Sequence, residues 1–272
     1  MKITPRIFHH TAKDGTPGWE FILPSLVLIS LIGFPVIALI WRSFNSQVFS
    51  FAVSESAVNA LRLSLITSLI CVAVSLVTGT PLAYIQAHWK FRGKVLLDLL
   101  VDLPVVLPPS VAGIALLLAF GREGLIGIWL NKIGISLPFT TVAVVMAQLF
   151  VSAPLLVRSA RVGFAAIDPQ LEEAAKVEGA SNWNVFRLIM LPIAGRALLT
   201  GVILTWTRAL GEFGATLLFA GNLEGKTQTM PLAIYVGFEQ GLGIALILSV
   251  ILLAVSIILL AFLRRLEQQS PS

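Results

Sequence analysis

The stretch Asp168–Pro192, "DPQLEEAAKVEGASNWNVFRLIMLP", decides how this chain is read. It is polar and helical in pattern, yet strongly apolar sequence flanks it on both sides. Asp168 suits an N-cap and Pro169 a first helical position. Glu172 and Glu173 fall in the first turn, where the positive end of the helix dipole favours acid. Gly179 predicts the stop, because glycine enters the left-handed backbone that ends helices. Ser181 then predicts the cap of a second helix over "NWNVFRLIML". Two short helices joined at Gly179–Ser181 make an elbow. Ala174, Ala175 and Ala180 are small, so another protein's surface could approach its backbone closely. A connection this long with structure of its own is usually functional; the competing reading is an amphipathic linker lying on a membrane.

The flanks say what solvent the elbow emerges from. Of 272 residues, 57% are hydrophobic and 12% charged, with a mean hydropathy of +0.91. A soluble domain carries about 25% charged residues. A helix crossing a bilayer needs about 20 consecutive apolar residues. Charge-free runs of that order lie between Glu20 and Arg42, Arg62 and His88, Asp102 and Arg122, Lys132 and Arg158, and Glu239 and Arg264. A further run from Arg196 to Glu224 is broken by Arg208 and Glu212. The expectation is an all-α polytopic membrane protein with about six transmembrane helices. Its membrane domain covers residues 20–266, the elbow 168–192 lies within it, and short tails cover 1–19 and 267–272. The first run is too long for a signal-peptide core and has no small-residue cleavage site near its end, so it reads as a span.

The net charge of +5 and pI of about 9.7 could suggest nucleic acid, but the placement of charge points elsewhere. With both termini in the cytoplasm, Lys90, Arg92, Lys94, Arg158, Arg161, Arg264 and Arg265 all fall inside, and the outside keeps few basic residues. This is the positive-inside bias. It puts the elbow on the cytoplasmic side and makes the basic excess a topology signal rather than a nucleic-acid footprint.

Several features inside the spans invite a functional reading. Pro104, Pro108 and Pro109 cannot all occupy an undistorted helix. Backbone groups freed within a bilayer must face protein or a wet cavity. Pro108, Pro109 and Ser110 are therefore candidates to line a pathway, with a simple packed kink as the alternative. Arg208 and Glu212 stand four apart and could pair; they would serve as a gate or oxyanion contact, or as a neutralising pair between helices. Gly211 and Gly214 beside them permit close helix packing. Asp98 and Asp102 fit a helix N-terminus near Lys90 and Lys94. "GREGLIGIWLNKIG" (121–134) reads as an outer loop with a short helix placing Trp129 at the headgroups. "GNLEGKT" (221–227) nearly spells a phosphate-binding loop, but it has three residues where the motif needs four, and no strand precedes it. His9, His10 and His88 have no metal-ligand spacing, and no catalytic constellation is visible. Cys71, the single cysteine, reads as a small buried apolar residue.

The order Glu173-Ala174-Ala175, Gly179-Ala180-Ser181, Phe186 and Leu191-Pro192 closely resembles the EAA signature of ABC-importer permeases. From about residue 57 to 263, "LRLSL", "FRGK", "DLPVVLPPSVAGIALLLAFG" and "RALGEFGATLLFAGNLEGKTQTMPLAIY" look like the molybdate/tungstate branch, with sulfate/thiosulfate permeases similar around "GEFGA" and "GKTQT". The resemblance implies a type I importer fold in a prokaryotic cell membrane, with this chain catalysing no covalent step. It implies that Glu172, Glu173, Ala174, Ala175, Gly179, Ala180 and Ser181 form a coupling helix docked on a partner ATPase dimer, which alone holds ATP and Mg. It further implies a second permease copy, an external oxyanion-binding protein, and molybdate or tungstate as cargo. A sulfate permease is the near alternative. An ATP-independent secondary transporter is the distant one, and would more often show matched broken helices in two halves.

Overall fold

The computed structural model describes residues 18–44 and 54–269. The expected tails 1–19 and 267–272, with His9 and His10, therefore lie largely outside the described residues, as does most of the loop after the first span. The chain divides into two units, 1–45 and 46–272. The first holds α1 (Trp19–Phe44), 26 residues interrupted by Pro24 and Pro35 and long enough to cross a bilayer. Among the described residues there is no strand.

The second unit is built on three helices: α2 (Glu55–His88), α6 (Thr141–Ala165) and α10 (Gly195–Leu210). Small residues bring them together. A Cβ on Gly79 would lie 3.1 Å from a Val157 methyl, and one on Gly201 would lie 3.2 Å from the Leu156 Cα. In lipid, apolar side chains gain little by leaving the solvent, so close backbone approach and interhelical hydrogen bonds do the holding. The interior accordingly carries a polar seam. Trp206 Nε1 donates to Ser68 Oγ at 2.9 Å, Ser152 Oγ lies 3.3 Å from Cys71 Sγ, and Thr205 Oγ1 donates to the Ser152 carbonyl at 3.3 Å. Ser159 Oγ donates to the Ala197 carbonyl at 2.6 Å. Cys71 is buried, as its position in the run suggested.

Around this trio stand the remaining helices of the unit. α3 (Lys94–Val106) and α4 (Pro109–Phe120) replace the single third span expected from the sequence. The reason is local. Leu107, preceding Pro108, takes φ −68° and ψ 136°, the extended backbone that a following proline imposes, and Pro109 restarts the helix at its first position. The run Arg196–Glu224 is also divided, into α10 and α11 (Gly214–Ala220), by a turn over Gly211–Phe213. Among the described residues, four continuous helices are long and apolar enough to cross a membrane, and the bent pair around Ala194 makes a fifth if it is one span. The count of about six thus includes spans assembled from pieces. α4 and α11 pack on the end of α6 near Ala143–Val151. α12 (Met230–Gln240) and α13 (Leu242–Gln269) close the bundle against α2, where Ser64 Oγ accepts the Met230 amide at 2.7 Å. The expected outer helix appears as α5 (Gly127–Lys132), with exposed Trp129 and the Lys132 ammonium 4.3 Å from its ring centroid. Pro81 lies inside α2 and leaves it unbroken.

One glycine tests this packing directly. A Cβ on Gly163 of α6 would sit 2.3 Å from the Ala197 Cβ, a stub that has no rotamer to escape into. Gly163→Ala is expected to lower the thermal midpoint of the detergent-solubilised subunit, because overpacking costs about 1–3 kcal/mol and exceeds the helix-propensity gain. Gly195→Ala, where nothing lies within 4 Å, is expected to leave it unchanged or raise it.

Candidate functional site: the elbow and the paired helix breaks

The elbow forms as its capping residues dictate. Asp168 accepts the Gln170 amide at 2.9 Å and Pro169 opens α7 (Pro169–Val177). Gly179 takes φ +85°, with its amide on the Lys176 carbonyl at 3.0 Å and the Ala180 amide on the Ala175 carbonyl at 3.0 Å. That pair of bonds is the Schellman stop. Ser181 Oγ then accepts the Asn184 amide at 3.2 Å and starts α8 (Asn182–Val185). A π-helical turn, Phe186–Met190, and α9 (Leu191–Ile193) continue it to Ala194, where the axis bends by 73° into α10.

The elbow has two faces. Inward, Ala175 and Ala180 pack on a cluster of Tyr84, Phe164, Val185, Phe186 and Met190, with the Tyr84 and Phe186 rings 4.9 Å apart. This joins the ends of α2, α6 and α10 to the elbow. Outward, Glu173, Ala174 and Gly179 are exposed, and so are apolar Leu171, Val177 (87%) and Trp183 (62%). α7 has no buried residue. Apolar side chains displayed together on a polar segment are a common feature of interaction surfaces. The two glutamates divide between the faces: Glu173 points out, while the Glu172 side chain is 13% exposed and lies within ion-pair distance of His88 and Lys176. Local spacing rules carry no hint of the His88 contact, since 84 positions of chain separate it from Glu172.

Asp98 and Asp102 are corrected. Their partners are Arg161 and Arg158 of α6, at 3.4 and 2.6 Å, rather than Lys90 or Lys94. The carboxylates sit inside α3, a turn or more from its start, so they face α6 across the bundle instead of serving the helix dipole.

The second group of candidates gathers at the two breaks. Arg208 is in the last turn of α10, and its Nη1 lies 2.7 Å from Glu212 Oε2. Glu212 is not on the same helix face, as four-residue spacing suggested; it stands in the turn beyond α10. There its other oxygen accepts the Ala215 amide at 2.8 Å and caps α11. Glu212 is 1% exposed, so the carboxylate staples the break from inside. Gly214 meets the other break: a Cβ there would be 2.9 Å from Pro109 Cβ and 3.4 Å from the Ser110 nitrogen. Pro108, Pro109, Ser110 and Gly211 are exposed. The structure therefore brings Pro109, Ser110 and Gly214 together, joins Arg208 to Glu212, and leaves Gly211 against no side chain within 4 Å. Thr205 and Thr207 spend their hydroxyls on backbone carbonyls, and Thr216 is buried.

The "GNLEGKT" loop offers no phosphate cradle. The Lys226, Thr227 and Gln228 amides all point at the Leu223 carbonyl, at 3.1, 2.8 and 2.9 Å, and the Leu223 amide is taken by Thr227 Oγ1. Gly221 and Gly225 take positive φ, as turn residues do.

Comparison with known proteins follows this geometry. Residues 79–270 match the family described as "Binding-protein-dependent transport system inner membrane component". The chain is 40% identical over 247 residues to the "Probable transport system permease protein NifC" of Clostridium pasteurianum, covering 90% of this chain and 86% of that one. It is 38% identical over 216 residues to the molybdenum transport system permease protein ModB of Escherichia coli (strain K12), covering 77% and 94%. It is 34% identical over 249 residues to the "Probable sulfate transport system permease protein cysT" of Chlorokybus atmophyticus, covering 90% and 87%. In fold it resembles a chain from the crystal structure of a bacterial ABC transporter involved in alginate import, with TM-score 0.74 and 16% identity over 93% of this chain and 96% of that one.

The hinge of the elbow yields a prediction from its backbone alone. Nothing lies within 4 Å of a Cβ on Gly179, so any penalty there comes from φ +85° and not from crowding. Gly179→Val is expected to cost about 1–2 kcal/mol of local stability and to raise amide exchange across residues 169–185, while Gly179→Asn, which tolerates left-handed backbone, is expected to change it little. Equal protection in the two variants would contradict the assigned hinge.

Proposed function

The chain belongs to the family of binding-protein-dependent transport system inner membrane components, and on that premise we propose that it is the membrane-spanning subunit of an ATP-driven importer of a tetrahedral oxyanion, molybdate or tungstate. The observation that carries this reading is the outward face of the elbow. Glu173 and Ala174, with Leu171, Val177 and Trp183 beside them, offer a mixed polar and apolar surface on a segment whose opposite face is fastened to three membrane helices. Such a surface suits a soluble partner that pushes on it. In this proposal the partner is a dimer of ATPase subunits, which holds ATP and Mg, and the subunit itself catalyses no covalent step. The positive-inside count supports cytoplasmic termini and a cytoplasmic elbow. A second copy of the chain completes the pathway about a two-fold axis, and an external binding protein delivers the anion.

The chemistry asked of this chain is positioning. Movement of α7 and α8 reaches α10 through the Phe186–Ala194 segment and its 73° bend. At the far end of α10 lie Arg208, Gly211, Glu212 and Gly214, meeting Pro108, Pro109 and Ser110 of the other break. We take these residues as the gate. Arg208 brings positive charge to an anion path, and Glu212 prevents it from holding the anion too tightly, because conduction requires binding weak enough to release. The named ModB relative supports molybdenum oxyanion as cargo, and the cysT relative at lower identity makes sulfate the second reading.

Vesicles bearing the assembled complex decide between these readings. ATP-dependent uptake of labelled molybdate is expected, with tungstate competing strongly and sulfate weakly. Sulfate displacing molybdate at lower concentration than tungstate would reassign the cargo, and uptake without nucleotide would remove the ATPase from the scheme.

A further inference from the structure

We infer that His88 acts as a positively charged latch holding the elbow to the end of α2 through Glu172, and so transmits the elbow's movement to that helix. The inference rests on the proposal that an ATPase moves the elbow, but its structural half stands without it.

The starting point is how little else attaches α7. None of its side chains is buried, and Ala175 is its contribution to the apolar cluster beneath. An element so lightly packed would be moved by a partner without taking its neighbours along. Glu172 supplies a second attachment. Its Oε2 lies 3.6 Å from His88 Nε2, and its Oε1 lies 2.8 Å from Lys176 Nζ. The side chains of His88 and Glu172 are 18% and 13% exposed.

The hydrogen-bond pattern fixes what state His88 must be in. Its Nδ1 lies 3.2 Å from the Tyr84 carbonyl oxygen. A carbonyl only accepts, so Nδ1 carries a proton. A neutral ring with that proton on Nδ1 presents a lone pair on Nε2, and a lone pair facing the Glu172 carboxylate sets two acceptors against each other. The contact is attractive when both ring nitrogens are protonated. The ring stands beside that carboxylate at the last turn of α2, where the helix dipole is negative, and a cleft of about 400 Å³ runs alongside. The ring is held by Tyr84, with centroids 4.4 Å apart, and by Trp89 and Phe164. The charged and titratable groups facing it are Glu172 and Lys176 from α7 and Tyr84 from α2. Lys176 bonds the other carboxylate oxygen and so aims Oε2 at the imidazole. His88 is thus a positioning residue, and Glu172 is the inward partner of the outward Glu173.

Two measurements on the full-length chain test the latch. The first needs no partner: amide exchange of residues 170–177 in the lipid-reconstituted subunit. His88→Gln, which keeps a polar side chain without charge, is expected to speed that exchange roughly tenfold, the worth of a charge-assisted contact. His88→Lys, a fixed cation, is expected to stay near the parent, and His88→Gln with Glu172→Gln is expected to add nothing to His88→Gln alone. The second is the ratio of oxyanion imported to ATP hydrolysed by the assembled complex, expected to fall in His88→Gln and to recover in His88→Lys. Unchanged exchange in His88→Gln, or His88→Lys as fast as His88→Gln, would overturn the latch whatever the ATPase does. The expected exchange pattern with an unaltered transport ratio would overturn transmission through α2 while leaving the latch as a static fastening. A parent subunit that binds no ATPase would instead remove the functional proposal on which transmission rests.

Discussion

A bilayer interior offers no water to a freed amide or carbonyl, and this single constraint shapes everything the chain does between its ends. A helix may break there only where protein supplies the missing partners. Both breaks in the second unit obey it. At Leu107–Pro108 the interruption uses residues that lack the amide in question, and at Gly211–Phe213 the Glu212 carboxylate reaches inward to take the Ala215 amide. The breaks then lie against each other, Gly214 on Pro109, so that each shields part of the other from lipid. The same constraint explains the polar seam. Ser68, Ser152, Thr205 and Ser159 face other helices, where their hydroxyls find carbonyls, an indole or a thiol.

What the sequence could disclose follows from how far each interaction reaches along the chain. The elbow was readable nearly to the residue because its caps are local chemistry. Asp168, Pro169, Gly179 and Ser181 act on amides within a few positions, and each took the conformation its type prefers. The apolar runs announced the bilayer, and the prolines announced a distortion in the third span though not its division into two helices. The turn at Gly211–Phe213 gave weaker warning. A four-residue spacing between Arg208 and Glu212 fits a continuous helix as well as it fits a staple across a gap. Partners distant in sequence were not readable. Asp98 and Asp102 chose arginines of α6 over nearer lysines because α3 lies along α6, which no local pattern specifies. His88 is the same case: an isolated histidine in the chain becomes one side of an ion pair once α7 folds back on α2.

The functional candidates fall at the two ends of one rigid element. α10 runs 16 residues, about 24 Å, from the elbow's bend to the stapled break. Its midsection is locked to α6 by the close approach at Gly201 and to α2 by Trp206. The parts proposed to shift are therefore separated by a part that resists deformation. That arrangement lets a contact made at one surface be felt at the other without melting anything between.

The 73° angle at Ala194 has a mechanical consequence. A rod joined almost at right angles to a shaft acts as a crank. On the proposed role of the elbow, force applied to α8 along the membrane plane becomes torque on α10 together with the α2 and α6 surfaces locked to it, so that unit rocks and α10 does not slide along its axis. Sliding would drag charged ends such as Arg196 into hydrocarbon and pull apolar turns into water. Rocking of the locked unit keeps each residue near its own depth, and the solvent on either side is never asked to accept the wrong residues.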